Sequence, residues 1–393
     1  MGVNFLSRTA CAALLGTALA CPAAALAFEP TGNPVADAFL TSLEAGEATN
    51  VAVEDVAVSG GEVVLSGVTA NYTADGEDNA LSIGSISLSD AEVLSDGSVT
   101  AAAMALTGLS LLQDEDEVNI EAGAITDLRI PSPEEIEDPA KAINKPPFYR
   151  ALEFTGITIS EEGEADVPVE RITSTLDPTG DDGSVKASLA VENVVIDPSA
   201  VDDEDFTAQM AELGYANLSV SIKGAGMWSA ADGTATLEDF EISAKDMGAL
   251  HVSATLLGLT PDILAQFEEA QDDFGKLTGL MQMISIADLN IHFRNDTVVD
   301  RVLDMQAAAA GTDRAGLIDQ LSSALPSILA LLQNPGFQQK VQDAAVTFLN
   351  EPGTLTVSAN PAQAVPLGQI FGVAMIAPQT IPDMLSVDIQ ANQ

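Results

Sequence analysis

The feature that most constrains this chain is a stutter in hydrophobic alternation. In Ala235–Ile242 (ATLEDFEI), Ala235 and Leu237 share one face of an expected strand, Glu238 and Asp239 interrupt, and Phe240 and Ile242 resume the apolar series out of step. Alternate side chains of a strand point to opposite faces, so a one-residue slip would turn Phe240 and Ile242 away from the core. An extra residue restores the face; that is a β-bulge, and its special backbone suits Gly, Asn or Asp. Asp239 occupies the position here.

The same octet recurs: apolar, any, apolar, any, Gly/Asn/Asp, apolar, any, apolar. It stands at Val51–Val58, Val63–Ala70, Ile86–Val93, Met104–Leu111, Leu152–Ile159, Leu189–Ile196 and Ile284–Ile291, with a weaker copy at Gly123–Ile130. The uneven spacing excludes a fixed-period solenoid. The expected fold class is α+β, with long, curved, bulged antiparallel sheets and helices covering the C-terminal half.

Four regions follow: a signal peptide (1–27), an N-terminal β-rich region (28–130), a Pro/acidic linker or crossing loop (131–147), and a C-terminal β-meander plus helices (148–393). Arg8 supplies a short basic region, Ala10–Ala20 an apolar run too short to span a bilayer, and Ala25-Leu26-Ala27 a cleavage site before Phe28. Cys21 raises a lipoprotein alternative, but Ala18 rather than Leu stands three residues before it and Pro22 follows. Cys11 and Cys21, the chain's 2 cysteines, both precede the cleavage site. An exported chain without disulfides points to a bacterial periplasm. No second apolar run is expected to be long enough to cross a membrane.

The 131–147 stretch carries five prolines and a charge run, both hostile to a sheet ladder. Turns are expected at Gly60-Gly61, Asp75-Gly76, Asp96-Gly97, Asp232-Gly233 and Asp246-Met247-Gly248. Helices are expected after Pro34, over Asp202–Leu213, from Pro261, over Thr297–Ala310, Asp313–Gln333 and Pro335–Asn350, and across Pro366–Ile376.

The formal net charge is −45, with 59 acidic residues against 14 Lys and Arg. Such a surface disfavours nucleic acid and anionic headgroups. It is either a solvated acidic shell or a divalent-cation binder. For the second, the acidic clusters Asp114–Glu117, Asp181-Asp182 and Asp202–Asp205 would supply oxygen ligands, although none has the spacing of an EF-hand. No cofactor is expected.

Material for catalysis is sparse. His251 and His292 are the only histidines, each opposite the apolar series of its strand. There is no G-x-S-x-G elbow, no H-E-x-x-H pair and no phosphate-cradling loop. A Ser-His-Asp set assembled only in space stays open as a third reading, in which His251 or His292 would be indispensable. Trp228, with Met227, falls between two expected strands, where it either caps the core or touches a ligand. A long sheet with an apolar inner face would either leave a groove for acyl chains or be filled by helices.

The octets, the signal peptide and the β-first layout resemble exported AsmA-like and YdgA-like envelope proteins. The C-terminal half resembles an uncharacterised exported alphaproteobacterial family on Trp228, Lys245–Leu250 (KDMGAL), Phe348–Pro352 (FLNEP) and Thr354–Val357 (TLTV). The resemblance implies a β-rich periplasmic protein concerned with lipid movement or outer-membrane upkeep, and it carries no catalytic residues. The chain departs from the AsmA-like pattern in lacking an N-terminal membrane anchor once the signal is cleaved. The expectation is a non-enzymatic periplasmic protein binding an apolar ligand, with lipid or another envelope protein as partner. The alternative is an interaction protein with a filled core and an acidic, Ca²⁺-binding surface.

Overall fold

The structure, a computed structural model, describes residues 28–46, 48–74, 77–114, 116–137, 148–161, 163, 165–179, 183–201, 203–270 and 274–393. The expected signal peptide (1–27), the expected Asp75-Gly76 turn, Asp181-Asp182, Asp202 and residues 138–147 of the proline-rich stretch lie outside them. The chain forms two compact units: Met1–Leu176 with Ala190–Thr207, and Asp177–Leu189 with Ala208–Gln393. Residues 131–137, the described part of the proline-rich stretch, belong to the first unit.

In unit 1, α1 (Pro34–Ala45) starts where Asn33 Oδ1 accepts hydrogen bonds from the Val35 and Ala36 amides, and it ends at Gly46. The strands are β1 (Thr49–Ala52), β2 (Asp55–Ser59), β3 (Glu62–Ala74), β4 (Glu77–Ser89), β5 (Glu92–Val93), β6 (Val99–Gln113) and β7 (Asp116–Ile130). After α2 (Pro133–Glu137) come β8 (Ala151–Ser160) and β9 (Val167–Pro178). Pairing is antiparallel throughout, in the order β2-β3-β4-β6-β7-β8-β9, with β1 also on β3 and β5 on β6. The core lies on one face, where Leu65, Val68, Ile86 and Leu88 are fully buried and α1 contributes Phe39 and Leu40.

The octets resolve into two different devices. In unit 1 the fifth residue takes positive φ at Gly67, Gly108, Asp127 and Gly156, near 50–60° in each case. Yet the register does not slip. Ser66 faces Ser85 and Val68 faces Ile83; Thr107 faces Ala122 and Leu109 faces Ile120; Thr155 faces Arg171 and Ile157 faces Val169. Each of these ladders skips a pair, and the skipped pairs align as Gly67–Gly84–Gly108–Glu121–Gly156–Glu170 across six strands, while the β6–β7 ladder skips a second pair, Ala102–Asp127, at a separate level. Because every strand changes face at the same level, none needs an extra residue relative to its neighbours. The bulge expectation is therefore replaced here by a transverse crease. The Val51–Val58 copy breaks between β1 and β2, and Asp90 of the Ile86–Val93 copy lies just past the end of β4.

Strand β10 (Val185–Ile196) contains the boundary between the units, and α3 (Glu204–Leu213) follows. Unit 2 then builds β11 (Leu218–Ser229), β12 (Thr234–Ala244), β13 (Gly248–Leu257), α4 (Pro261–Glu269), α5 (Phe274–Leu280) and β14 (Ser285–Asn295). It continues with α6 (Val298–Ala309), α7 (Arg314–Leu329), α8 (Pro335–Asn350), β15 (Thr354–Ala359), β16 (Val365–Pro366), α9 (Leu367–Ile376), α10 (Ile381–Met384) and β17 (Val387–Ala391). The antiparallel order is β11-β12-β13-β14-β15-β17, with β16 also on β14. The fold class is α+β, as the octets and the C-terminal helical periodicity imply.

Here the stutter is a true bulge. Leu237 faces Ala254 but Phe240 faces Val252, so β12 carries one residue more than β13, and it slips likewise against β11. Asp239 does not take positive φ, contrary to the expectation; the inserted residue is absorbed by the ladder slip instead. A second slip, where Thr255 faces Asp288 and Leu256 faces Ile286, realises the Ile284–Ile291 copy.

One unforeseen residue ties this unit together. Asn295, at the end of β14, donates from Nδ2 to Asp300 Oδ2 and to the Pro352 carbonyl, and its Oδ1 accepts the Val299 amide. Beside it the Met247 carbonyl accepts the amides of Asp296, Thr297 and Val298. Since Asn295 is nearly buried, Asn295→Ala should lower the unfolding free energy by about 1–3 kcal/mol, the usual cost of orphaning buried polar partners. Chemical denaturation checks this, and no change in midpoint would count against it.

Candidate functional site

The strand register of unit 2 sorts its sheet into two faces. On the polar face, Lys223, Glu241, His251, His292, Thr356 and Gln390 stand directly opposite one another on six consecutive strands. The two histidines, far apart in sequence, are thus cross-strand neighbours, with ring centroids 5.9 Å apart. His251 Nε2 lies 2.8 Å from Glu241 Oε2, and its Nδ1 lies 3.6 Å from Asp239 Oδ1. Lys223 Nζ approaches the same two carboxylates at 3.8 and 3.5 Å. His292 Nδ1 shares a 2.8 Å hydrogen bond with Thr356 Oγ1. The carboxylates therefore contact one imidazole and the hydroxyl the other, so the three groups of a Ser-His-Asp-type relay are divided between two rings. The row reads as cross-strand pairing, each pair worth under about 1 kcal/mol at this exposure.

On the apolar face the next row is Ile222, Ile242, Leu250, Phe293, Leu355 and Ala391, in the same register. Helix α8 covers one side of it: Phe348 meets Phe293 edge-on at 6.1 Å, and Lys340 pairs with Asp388 of β17 at 2.8 Å. That ammonium and the Gln390 amide hold the Asp388 carboxyl below its ordinary range. The other side is not covered. Ile242 is 39% and Leu250 37% exposed, side by side on β12 and β13, and Ile222, Phe240 and Val252 are half-buried. In unit 1, by contrast, Leu65, Val68, Ile86 and Leu88 on the apolar face are fully buried.

Trp228 lies within β11, one residue further into the strand than a loop position, and donates from Nε1 to the Leu259 carbonyl at 2.7 Å. It closes the sheet end, while Met227, on the opposite face, is 40% exposed. The acidic clusters serve as turns and caps in their described parts. Asp114 takes positive φ in the β6–β7 turn, Glu117 accepts from the Ser110 hydroxyl, and Asp203 accepts the Phe206 amide of α3. Among the described residues no three His, Cys, Asp or Glu side chains are arranged to hold a metal ion. Among the described residues, unit 1 has two small clefts, one near Leu111 and Ile159 and one near Val167 and Ile196, of about 10 and 20 Å³. Each admits roughly one water, far too little for an organic ligand.

A family model described as an uncharacterised protein matches residues 241–392. The match lies wholly within unit 2 and runs from the middle of β12 to the end of β17. No curated protein matches the chain. The KDMGAL, FLNEP and TLTV stretches meet around Asn295 and the Met247 carbonyl, so their role here is to join β13, β14, α6 and β15.

Proposed function

We propose that this is a non-enzymatic periplasmic protein that holds an acyl chain against the uncovered apolar face of β11–β13, in a pathway of lipid handling or envelope upkeep. The observation that carries this reading is the exposed Ile242–Leu250 pair on an otherwise apolar sheet face. The ligand would lie along an open face, since an enclosed cavity is not what the small clefts offer. At about 25 cal/mol per Å² of apolar surface removed from water, covering such a face gives a real driving force. The charge-poor face also contrasts with the acidic remainder of the chain, which keeps the protein from self-association.

Titration with a fluorescent fatty acid tests this. Wild-type protein should bind it, and Leu250→Glu with Ile242→Glu should weaken binding at least tenfold while the thermal midpoint changes little. Protein that comes lipid-free from its native host, as seen by native mass spectrometry, and that ignores the probe would remove the reading.

A further inference from the structure

A different surface of unit 2 bears the three most exposed large apolar side chains of the described chain, Leu331, Met375 and Ile376. In the turn that ends α7, Leu331 is 82% exposed and Ile328, just before it, 59%. On α9 and at its end, Phe371, Met375 and Ile376 are 55%, 89% and 86% exposed. These two places are clamped together. Asn334 Nδ2 donates to the Gln379 carbonyl and to Asp383 Oδ2, both at 3.1 Å, while its Oδ1 accepts the Phe337 amide that opens α8. Asn334 is itself almost buried. Leu331 and Ile376 each sit three residues from a clamped residue, hence within about 10 Å of the joint.

Apart from Asp383 at the clamp, the stretches that carry these side chains lack charge. Residues 320–339 and 352–382 contain no Asp, Glu, Lys, Arg or His, in a chain with 59 acidic residues. The expectation that no run beyond the signal is long and apolar enough to cross a membrane also meets an exception here. Arg314–Leu332 passes that test by length and composition and is only 17% buried.

We propose that this paired tip docks on the surface of a zwitterionic lipid bilayer, with Leu331, Phe371, Met375 and Ile376 entering the headgroup–acyl boundary. Side chains that stand 82–89% free form a projection and offer no concavity for a ligand. A protein partner is normally met by an apolar centre with a polar or charged rim, whereas the exposed side chains of this tip stand on two charge-free stretches, and the carboxylate beside them, Asp383, is held by Asn334. A lipid interface asks for an apolar projection without charge. The acidic body excludes anionic headgroups, which leaves phosphatidylcholine- or phosphatidylethanolamine-type surfaces. The inference is independent of ligand binding at the β11–β13 face.

The test is co-sedimentation of the full chain with phosphatidylcholine vesicles, and with vesicles of equal parts phosphatidylcholine and phosphatidylglycerol. Wild-type protein should partition onto the first and at least tenfold less onto the second. Leu331→Asp with Ile376→Asp should lose at least tenfold on the first, with an unchanged circular-dichroism melt and unchanged fatty-acid titration. The proposal is overturned if wild-type protein stays in the supernatant, if the variant sediments equally well, or if anionic vesicles are preferred. It is also overturned if the variant abolishes self-association in sedimentation velocity while vesicle binding persists, since the tip would then seat a second copy. Fatty-acid binding without vesicle binding would sink the tip alone and leave the sheet-face reading standing.

Discussion

Glu135→Ala is expected to lower the unfolding free energy by about 3–5 kcal/mol, the cost of stripping a buried charge of its counterion. Arg129 on β7 and Glu135 on α2 are each only 5% exposed. Arg129 Nη2 donates to both carboxylate oxygens, at 2.6 and 2.5 Å, and the Ser132 amide donates to Oε2 at 2.9 Å. Among the described residues Arg129 Nη1 has no acceptor, so Glu135 is the group that neutralises this guanidinium. Removing the carboxylate leaves a desolvated cation and frees the turn from which α2 starts. The double variant Arg129→Met with Glu135→Leu should recover most of the loss, because an apolar pair of similar volume avoids the desolvation cost altogether. Denaturant midpoints of the three proteins decide it. A single variant within about 1 kcal/mol of wild type would mean that water reaches the pair.

How much of this was legible in the residues depends on how local each feature is. The Gly60-Gly61 and Asp232-Gly233 turns and the Pro34, Pro261 and Pro335 helix starts all follow from short-range chemistry, and the structure places them within a residue or two of expectation. The octet carried the face change correctly but not its mechanism. Whether Gly67 marks an insertion or a crease depends on what Ser85, Gly84 and Ile83 do on the neighbouring strand, which alternation within one strand does not encode. The same limit hid the His251–His292 pairing. Strands β13 and β14 are separated by α4 and α5, so the register that sets the rings opposite each other is fixed by tertiary packing. Asn295 and Arg129 gave only weak signals, a lone amide and a lone cation at strand ends. The charge-free stretches 320–339 and 352–382 lie in the residue order itself, but only the Asn334 clamp and the outward-facing apolar side chains give them meaning.

The second large effect is expected at the crease. Gly156→Val should cost about 2–4 kcal/mol, and Gly156→Asn about half as much. Gly156 has φ 63°, and a Cβ added there would lie 2.5 Å from both Cγ and Cδ of Glu121 on β7. Two penalties combine: a β-branched side chain in the left-handed region costs about 1–2 kcal/mol or more, and the exposed Glu121 side chain must swing aside, giving up its packing over Gly156. Asn tolerates the backbone and meets only the second penalty. Gly67 repeats the arrangement, with the Glu54 side chain at 2.5 Å, so the pattern belongs to the crease and not to one strand. Asn193 shows how the same position accepts a side chain. At φ 55° its amide donates from Nδ2 to Glu170 Oε2 at 3.0 Å, converting the steric conflict into a hydrogen bond. Asn193→Gly should therefore change stability by less than about 1 kcal/mol, the worth of one exposed hydrogen bond offset by the backbone's freedom. Denaturation midpoints give the ordering directly. If Val and Asn at position 156 proved equally mild, the aligned positive-φ residues would not be what lets each strand turn its apolar side chains back to the core.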